Sequence, residues 1–315
     1  MKKLFYFFFC LPTAYCLLPT CSSAQQLSLS NQYVVNKFWL SPAYAGAGEG
    51  FETFGTFRNE WMNIPGAPET KIVSANGMIC KNMGLGGSVS TLQAGIFTNI
   101  AASASYAYHL QLSGSQLLSF GLGFGLLESH VDLSSSEAQN DPVAMNSDVS
   151  ALAMDASFGV LYRCKKLHAG FSVPRMLTSK IKDEDKNKVY SFGPHYRGHI
   201  GYGYAFNNDW AIDPIAVISV AENAPLFYEV AVPIIYKQKI WLAPAYKKTS
   251  IAIGIGGIPY KNFIVNYAYE FSSKGIMGGS DGSHEITIGW RMAAKKKYDA
   301  PAPDRKKPYL DWILK

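Results

Sequence analysis

The chain has 315 residues, 48% hydrophobic and 14% aromatic but only 17% charged, against roughly 25% charged for a soluble globular chain. Of its 29 basic and 23 acidic residues, residues 1–24 take two lysines and residues 293–315 take seven Lys or Arg and three Asp, leaving 20 of each sign between. The formal net charge of +6 therefore belongs to the two ends, which removes a basic nucleic-acid-binding face. Beyond the first residues no run of about 18 apolar residues offers a membrane-crossing helix.

The start, "MKKLFYFFFCLPTAYCLLPTCSSAQQ", has the three parts of a secretory signal. Lys2 and Lys3 precede an apolar stretch from Leu4 to Leu18, and small residues stand before Gln25. Pro12 and Pro19 argue against a retained anchor. Neither Cys16 nor Cys21 has the Leu-small-small sequence that lipidation needs. Residues 1–24 are read as the signal peptide, residues 25–50 as an N-terminal segment, 51–292 as the main domain and 293–315 as a tail. Cys10, Cys16 and Cys21 leave with the signal, and Cys80 and Cys164 are read as two thiols.

Residues 31–46, "NQYVVNKFWLSPAYAG", are too apolar for water yet cannot form a long helix or a central strand, because Pro42 and Gly46 break both. Phe38, Trp39, Pro42 and Tyr44 are the candidates for a plug-like segment that closes the mouth next to the first strand. A leader lying on the rim is the simpler alternative.

From residue 51 the pattern has period two. Fourteen strands are predicted, near 51–58, 69–79, 83–92, 98–112, 116–128, 151–163, 167–173, 191–206, 210–220, 225–236, 239–247, 250–258, 262–272 and 284–292. In "FIVNYAYEFS", Phe263, Val265, Tyr267, Tyr269 and Phe271 oppose Asn266, Ala268, Glu270 and Ser272. In "HEITIGWRM", Ile286, Ile288, Trp290 and Met292 oppose Glu285, Thr287, Gly289 and Arg291. Leu118, Phe120, Leu122, Phe124 and Leu126 alternate with Ser119 and three glycines, which thin one face so that something can pack against it. A β-sandwich could alternate in the same way, and connection length decides between the two. "CKNM", "LSGS", "RCKK", "FNND", "YKQK" and "PYKN" are tight, whereas nearly all the long connections fall on the other side. Short turns at one end and long loops at the other define an all-β, antiparallel up-and-down transmembrane barrel. An even strand count puts both ends of the barrel on the periplasmic side of an outer membrane.

In order along the chain, "SPAYAG" (41–46), "RNEW" (58–61), "PGAPET" (65–70), "SYAYHLQLSGSQLLSFGLGFGL" (105–126) and "GSHEI" (282–286) resemble the PorP/SprF family. The resemblance implies an outer-membrane accessory of type IX secretion, tied in gliding bacteria to motility adhesins. It implies as partners large secreted cargo or adhesin proteins with C-terminal sorting domains, other components of the secretion machinery, and outer-membrane lipid. Arg58 and Trp61, in "RNEW", join the partner or plug candidates. Ser41 stands where the family usually has Asn, and Glu60 where it usually has Gln. The alternative function is a diffusion channel for small or apolar solutes.

No enzyme, cofactor or metal is expected. "GGSDG" (278–282) has the outline of a nucleophile elbow, but that motif needs a strand-turn-helix and here it lies in a loop between strands. Gly121, Gly123 and Gly125 precede neither a Lys nor a helix, so they are not a phosphate loop. Asp132, Glu137, Asp141 and Asp148 match no Ca²⁺ loop and read as a solvated acidic loop. On the inner face, His109, Arg197, His199, Glu270, Glu285 and Arg291 either select a solute or form a fixed ion-pair network, and the network is favoured because inward charges must pair or be hydrated. In the tail, two basic clusters, Lys295–Lys297 and Arg305–Lys307, flank a proline-rich linker before "YLDWIL"; adhesion to the inner leaflet is one reading, and docking on a periplasmic partner with Trp312 as the anchor is favoured.

Overall fold

The structure, a computed structural model, describes residues 29–48, 50–132, 149–177, 179–182, 188–221, 224–272 and 280–292. The tail with Trp312 and most of the acidic loop, with Glu137, Asp141 and Asp148, lie outside the described residues. Three short 3-10 turns come first, Asn31–Val34, Lys37–Trp39 and Pro42–Tyr44. The strands then follow without another helix among the described residues. They are β1 (Phe51–Asn59), β2 (Glu69–Cys80), β3 (Met83–Ala94), β4 (Phe97–Ser113), β5 (Gln116–Val131), β6 (Val149–Cys164) and β7 (Leu167–Arg175). Next come β8 (Ser179–Lys182), β9 (Lys188–Phe192), β10 (His195–Tyr202), β11 (Tyr204–Ala205), β12 (Trp210–Ile212) and β13 (Ile215–Ala221). The series ends with β14 (Phe227–Ala231), β15 (Ile234–Tyr236), β16 (Ile240–Lys247), β17 (Ser250–Tyr260), β18 (Phe263–Ser272) and β19 (Ser283–Met292).

Pairing is antiparallel throughout, and β1 bonds to β2 on one side and to β19 on the other. That second contact closes the sheet into a barrel and leaves it without an edge. β8 and β9 pair only with each other. β10 with β11, β12 with β13, and β14 with β15 each form one interrupted span, so the nineteen strands make the fourteen spans expected. The interruptions fall at Gly203, Asp213–Pro214 and Val232–Pro233, where proline offers no N–H to the ladder. The carbonyls of Pro214, Pro233 and Pro244 still accept from Tyr202, Asp213 and Val232 at 2.9–3.0 Å, so the wall stays bonded across the breaks.

Two local expectations differ from the structure. The span predicted from residue 191 begins at His195, and the connection before it carries the β8–β9 hairpin. Lysines at 180, 182 and 188 hide its alternation in a hydropathy reading.

The two faces of the wall divide as the alternation requires. Phe120, Leu122, Phe124 and Leu126 are exposed on the outside, Phe124 by 72%, while Ser119, Glu285 and Thr287 are fully buried within. The apolar outer face suits lipid, and the closed ladder pairs backbone groups strand to strand around it. Cys80 and Cys164 are free thiols.

The segment before β1 lies inside the barrel. Leu29 bonds to Lys247 and Asn31 to Glu285, both beside the long-loop mouth. Gly46 meets Asn76 and Gly84 at the short-turn mouth, where β1 begins. The segment therefore runs along the lumen from one end to the other, which is further than closing the mouth beside β1. Sequence shows that these residues are apolar, but not that the partners of residues 29–31 stand at the far end. The strand ends at Phe51 and Met292, paired with each other, leave from one mouth as the even count predicts.

Candidate functional site

Short 3-10 turns leave many of their carbonyls without a partner in the segment itself, and a buried carbonyl must find one. The wall supplies them from all round the circumference. Lys247 Nζ donates to Leu29 O at 3.2 Å, Arg291 to Val35 O at 3.3 Å and Arg197 to Trp39 O at 3.2 Å. Ser172 Oγ donates to Leu40 O at 2.8 Å and Arg163 to Ala47 O at 3.1 Å. His109 Nε2 lies 2.9 Å from Ala45 O, and its Nδ1 lies 2.8 Å from Ser119 Oγ. Since a carbonyl only accepts, Nε2 carries the proton and Ser119 donates to Nδ1.

The second half of the segment is seated on bare backbone. A Cβ on Gly84 would overlap the Ala45 carbonyl, and one on Gly121 would overlap the Pro42–Ala43 peptide. The Phe38 ring takes the space over Gly86, where a Cβ would be 2.6 Å from Cζ, and Ser41 Oγ takes the space over Gly159. The glycines expected to thin the inner wall do so at Gly121, while a Cβ on Gly123 would meet Ser157 of the wall itself. Ser41 also caps the last turn by accepting from Ala43 N at 3.2 Å. Pro42 sits at the first position of that turn, where its missing N–H costs nothing.

Charge concentrates around the first half. Arg58 is buried and spends its fork on three carboxylates: Glu60 at 3.0 Å, Glu270 at 3.0 Å and Glu285 at 3.1 Å. Lys247 pairs with Glu270 at 3.0 Å and lies 3.8 Å from Glu229. The segment enters this network through Asn31 N on Glu285 at 2.9 Å and Tyr33 OH on Glu229 at 2.6 Å. The Tyr33 hydroxyl is the donor in this pair, because a carboxylate only accepts. Nearer the other mouth, Arg291 pairs with Glu52 at 2.7 Å and Lys37 with Asp213 at 3.0 Å.

Asp213 also meets His168 at 3.3 Å, and Tyr44 OH meets His168 Nδ1 at 3.3 Å and His199 Nε2 at 2.9 Å. An aligned hydroxyl, imidazole and carboxylate are the ingredients of a nucleophile relay. Here Tyr44 is 6% exposed and His168 and Asp213 at most 1%, so the line has no room for a substrate. Among the described residues no group of three His, Cys, Asp or Glu side chains could hold a metal ion.

Every inner-face residue singled out by alternation lines this plugged lumen. His109, Arg197, His199, Glu270 and Glu285 are buried, and Arg291 is half-buried. Phe38, Pro42 and Tyr44 are buried and Trp39 packs on the same core. Arg58 is the hub of the ion-pair network. Trp61 lies apart, half-buried at the long-loop mouth with φ of 50°. There the loop after β1 is joined to residues 281–283. Met62 N donates to Gly282 O at 2.8 Å, Asp281 N to Met62 O at 3.1 Å and Trp61 N to Ser283 Oγ at 3.2 Å. Sequence reading missed Glu229 and Lys247, which share the inward parity of their strands, and Asp213, which lies inside the strand predicted over 210–220. It also missed Arg163 and His168, which flank a tight turn.

Fold and site together define a class: a transmembrane β-barrel closed by its own N-terminal segment. Residues 22–290 match the family described as "Type IX secretion system membrane protein PorP/SprF". The chain belongs to the PorP/SprF family, as outer-membrane barrels of that secretion system. Comparison with curated protein sequences finds no match. Among solved structures, the chain is similar to a Pseudomonas aeruginosa FadL homologue at 11% identity, over 81% of this chain and 93% of that one, with a TM-score of 0.49. It is also similar to the P. putida toluene transporter TodX, at 11% identity over 84% and 94% of the two chains, TM-score 0.46. A third similarity is to the CymD monoaromatic hydrocarbon channel, at 9% identity over 84% and 91%, TM-score 0.47. With every score under 0.5, the fold stands on the strand pairing above.

Proposed function

We propose that the protein is a non-enzymatic accessory of type IX secretion that supports export or cell-surface retention of large cargo or adhesin proteins bearing C-terminal sorting domains. In this reading the barrel is a membrane-anchored platform, its short-turn mouth and tail face the periplasmic machinery, and its long loops face outward. The observation that carries the reading is the plug. Donors from β6, β7, β10, β16 and β19 grip its carbonyls. Two cavities left between plug and wall, beside Val34 and beside Asn31, have room for only about 20 and 10 Å³. Each is at the limit for one water.

A diffusion channel for small or apolar solutes would require that grip to be released. The two readings separate in paired measurements. Purified wild-type protein in vesicles should give no solute-driven swelling, and a strain lacking the protein should lose a sorting-domain cargo from its surface and regain it on complementation. Swelling with small apolar or neutral solutes, together with unchanged cargo at the surface, would replace the platform by the channel.

A further inference from the structure

The short-turn mouth is built from six tight connections: residues 81–82, 114–115, 165–166, 206–209, 237–239 and 261–262. They contain six lysines, Lys81, Lys165, Lys166, Lys237, Lys239 and Lys261, and a single carboxylate, Asp209. The described long-loop end mixes the signs, with Glu60, Glu69, Asp132 and Asp281 beside Lys71, Lys248 and the lysines at 180, 182 and 188. Among the described residues these six lysines face one carboxylate at that mouth, Asp209, which acts on Lys237.

Two further observations bear on what these lysines meet. First, Lys165, Lys237 and Lys261 have φ of 53°, 47° and 41°. Tight hairpin turns need such left-handed positions, and Asn or Gly fills them with least strain. Lysine at three of them is a local choice made against the turn's own preference, the kind of conflict that marks function. Second, the ammonium groups face outward. Lys166 Nζ stands 4.9 Å from the Tyr204 ring centroid, Lys237 Nζ 5.2 Å from Tyr236 and Lys261 Nζ 5.1 Å from Tyr260. Those rings belong to the lipid-facing side, Tyr260 being 67% exposed and Tyr204 44%. Phe206 and Trp210 extend the same aromatic belt. A cation held over such a ring lies beside the wall at the membrane interface and not over the lumen.

We propose that the lysine rim of the short-turn mouth is a binding surface for anionic phospholipid headgroups of the leaflet that surrounds it. The belt fixes the depth of the barrel, and the lysines reach up from it to the phosphate layer. A soluble partner bound over the mouth would need the charges turned inward, and the three cation–ring contacts turn them outward.

The test compares the full-length protein with a Lys165→Asn/Lys237→Asn/Lys261→Asn variant in nanodiscs of phosphatidylcholine containing a minor fraction of phosphatidylglycerol. Native mass spectrometry reads the retained lipids. Asn suits left-handed positions, so the variant keeps its turns, and an unchanged heat-modifiable band in gel electrophoresis checks the fold. The wild type should retain phosphatidylglycerol over phosphatidylcholine. The variant should lose that preference on the order of a hundredfold, from about fivefold per lysine at an anionic surface. Lys71→Gln, at the other end of the barrel, should leave it intact. Equal retention by wild type and triple variant would overturn the proposal. So would an equal loss in Lys71→Gln, which would make the effect one of net charge. Displacement of the lipid by millimolar inorganic phosphate would overturn it too, because it would assign the rim to a free anion.

Discussion

The two halves of the lumenal segment are held by different physics. Residues 29–37 meet Lys247, Glu229, Glu270, Glu285 and Asp213 through charge and hydrogen bonds, whereas residues 38–46 lie on glycines at van der Waals contact. Buried charges add little net stability once desolvation is counted, but they penalise every arrangement that leaves one unpaired. Bare backbone gives the reverse, close packing with no directional bond. The first half therefore fixes the path of the segment and the second fixes its fit. Arg197, Ser172, His109 and Arg163 then satisfy the carbonyls that close packing buries.

Breaking the charged half should have the largest effect. Arg58→Ala takes the paired cation from Glu285, whose other hydrogen bonds come from Asn31, and leaves Glu270 to Lys247, Ser250 and Asn31; loss of one partner from a buried network costs about 3–5 kcal/mol. The thermal midpoint of the heat-modifiable band should fall markedly. A midpoint unchanged in Arg58→Ala would mean that water reaches this layer and that the charges do not fix the path.

The seat is next. Gly121→Val places side-chain atoms where Pro42 and Ala43 lie, and overpacking of this kind costs about 1–3 kcal/mol. The barrel should still insert, because β5 keeps its ladder, but the segment should lift from the wall and raise single-channel conductance in a planar bilayer. Silence in that recording would show that the first half alone keeps the lumen shut.

Ser172→Ala should be the smallest, about 0.5–1.5 kcal/mol for one neutral hydrogen bond, read as a slight fall in thermal midpoint without new conductance. A loss as large as that of Arg58→Ala would place the grip on carbonyls above the ion pairs and reverse the comparison.

Much of this was legible in the residues. Period-two alternation in β5, β18 and β19 gives both faces of the wall, because a strand exposes its parity directly. His109, Arg197, His199, Glu270, Glu285 and Arg291 were found on the inner face by the same rule. Their partners were not. Asn31 and Glu285 are 254 residues apart, and no local pattern encodes that contact. Alternation says which way a side chain points and not what stands opposite, so Glu229, Lys247 and Asp213 went unnoticed until the segment was seen against them. The breaks at Asp213–Pro214 and Val232–Pro233 fall inside the strands predicted over 210–220 and 225–236 and leave the span count unchanged: proline marks a missing donor, but a closed wall absorbs the loss through its neighbours.

The seam between β1 and β19 joins the two ends of the barrel domain, and across it Arg58 reaches Glu285 and Arg291 reaches Glu52. Contacts so distant along the chain form late, since they close the longest loop and carry its entropy. Glu285 is also the carboxylate that receives Asn31. One late event thus shuts the cylinder and clasps what is inside it. A cylinder that closed empty would strand Glu285 and Glu229 without the donors of Asn31 and Tyr33, so completed assembly and correct filling are one and the same checkpoint.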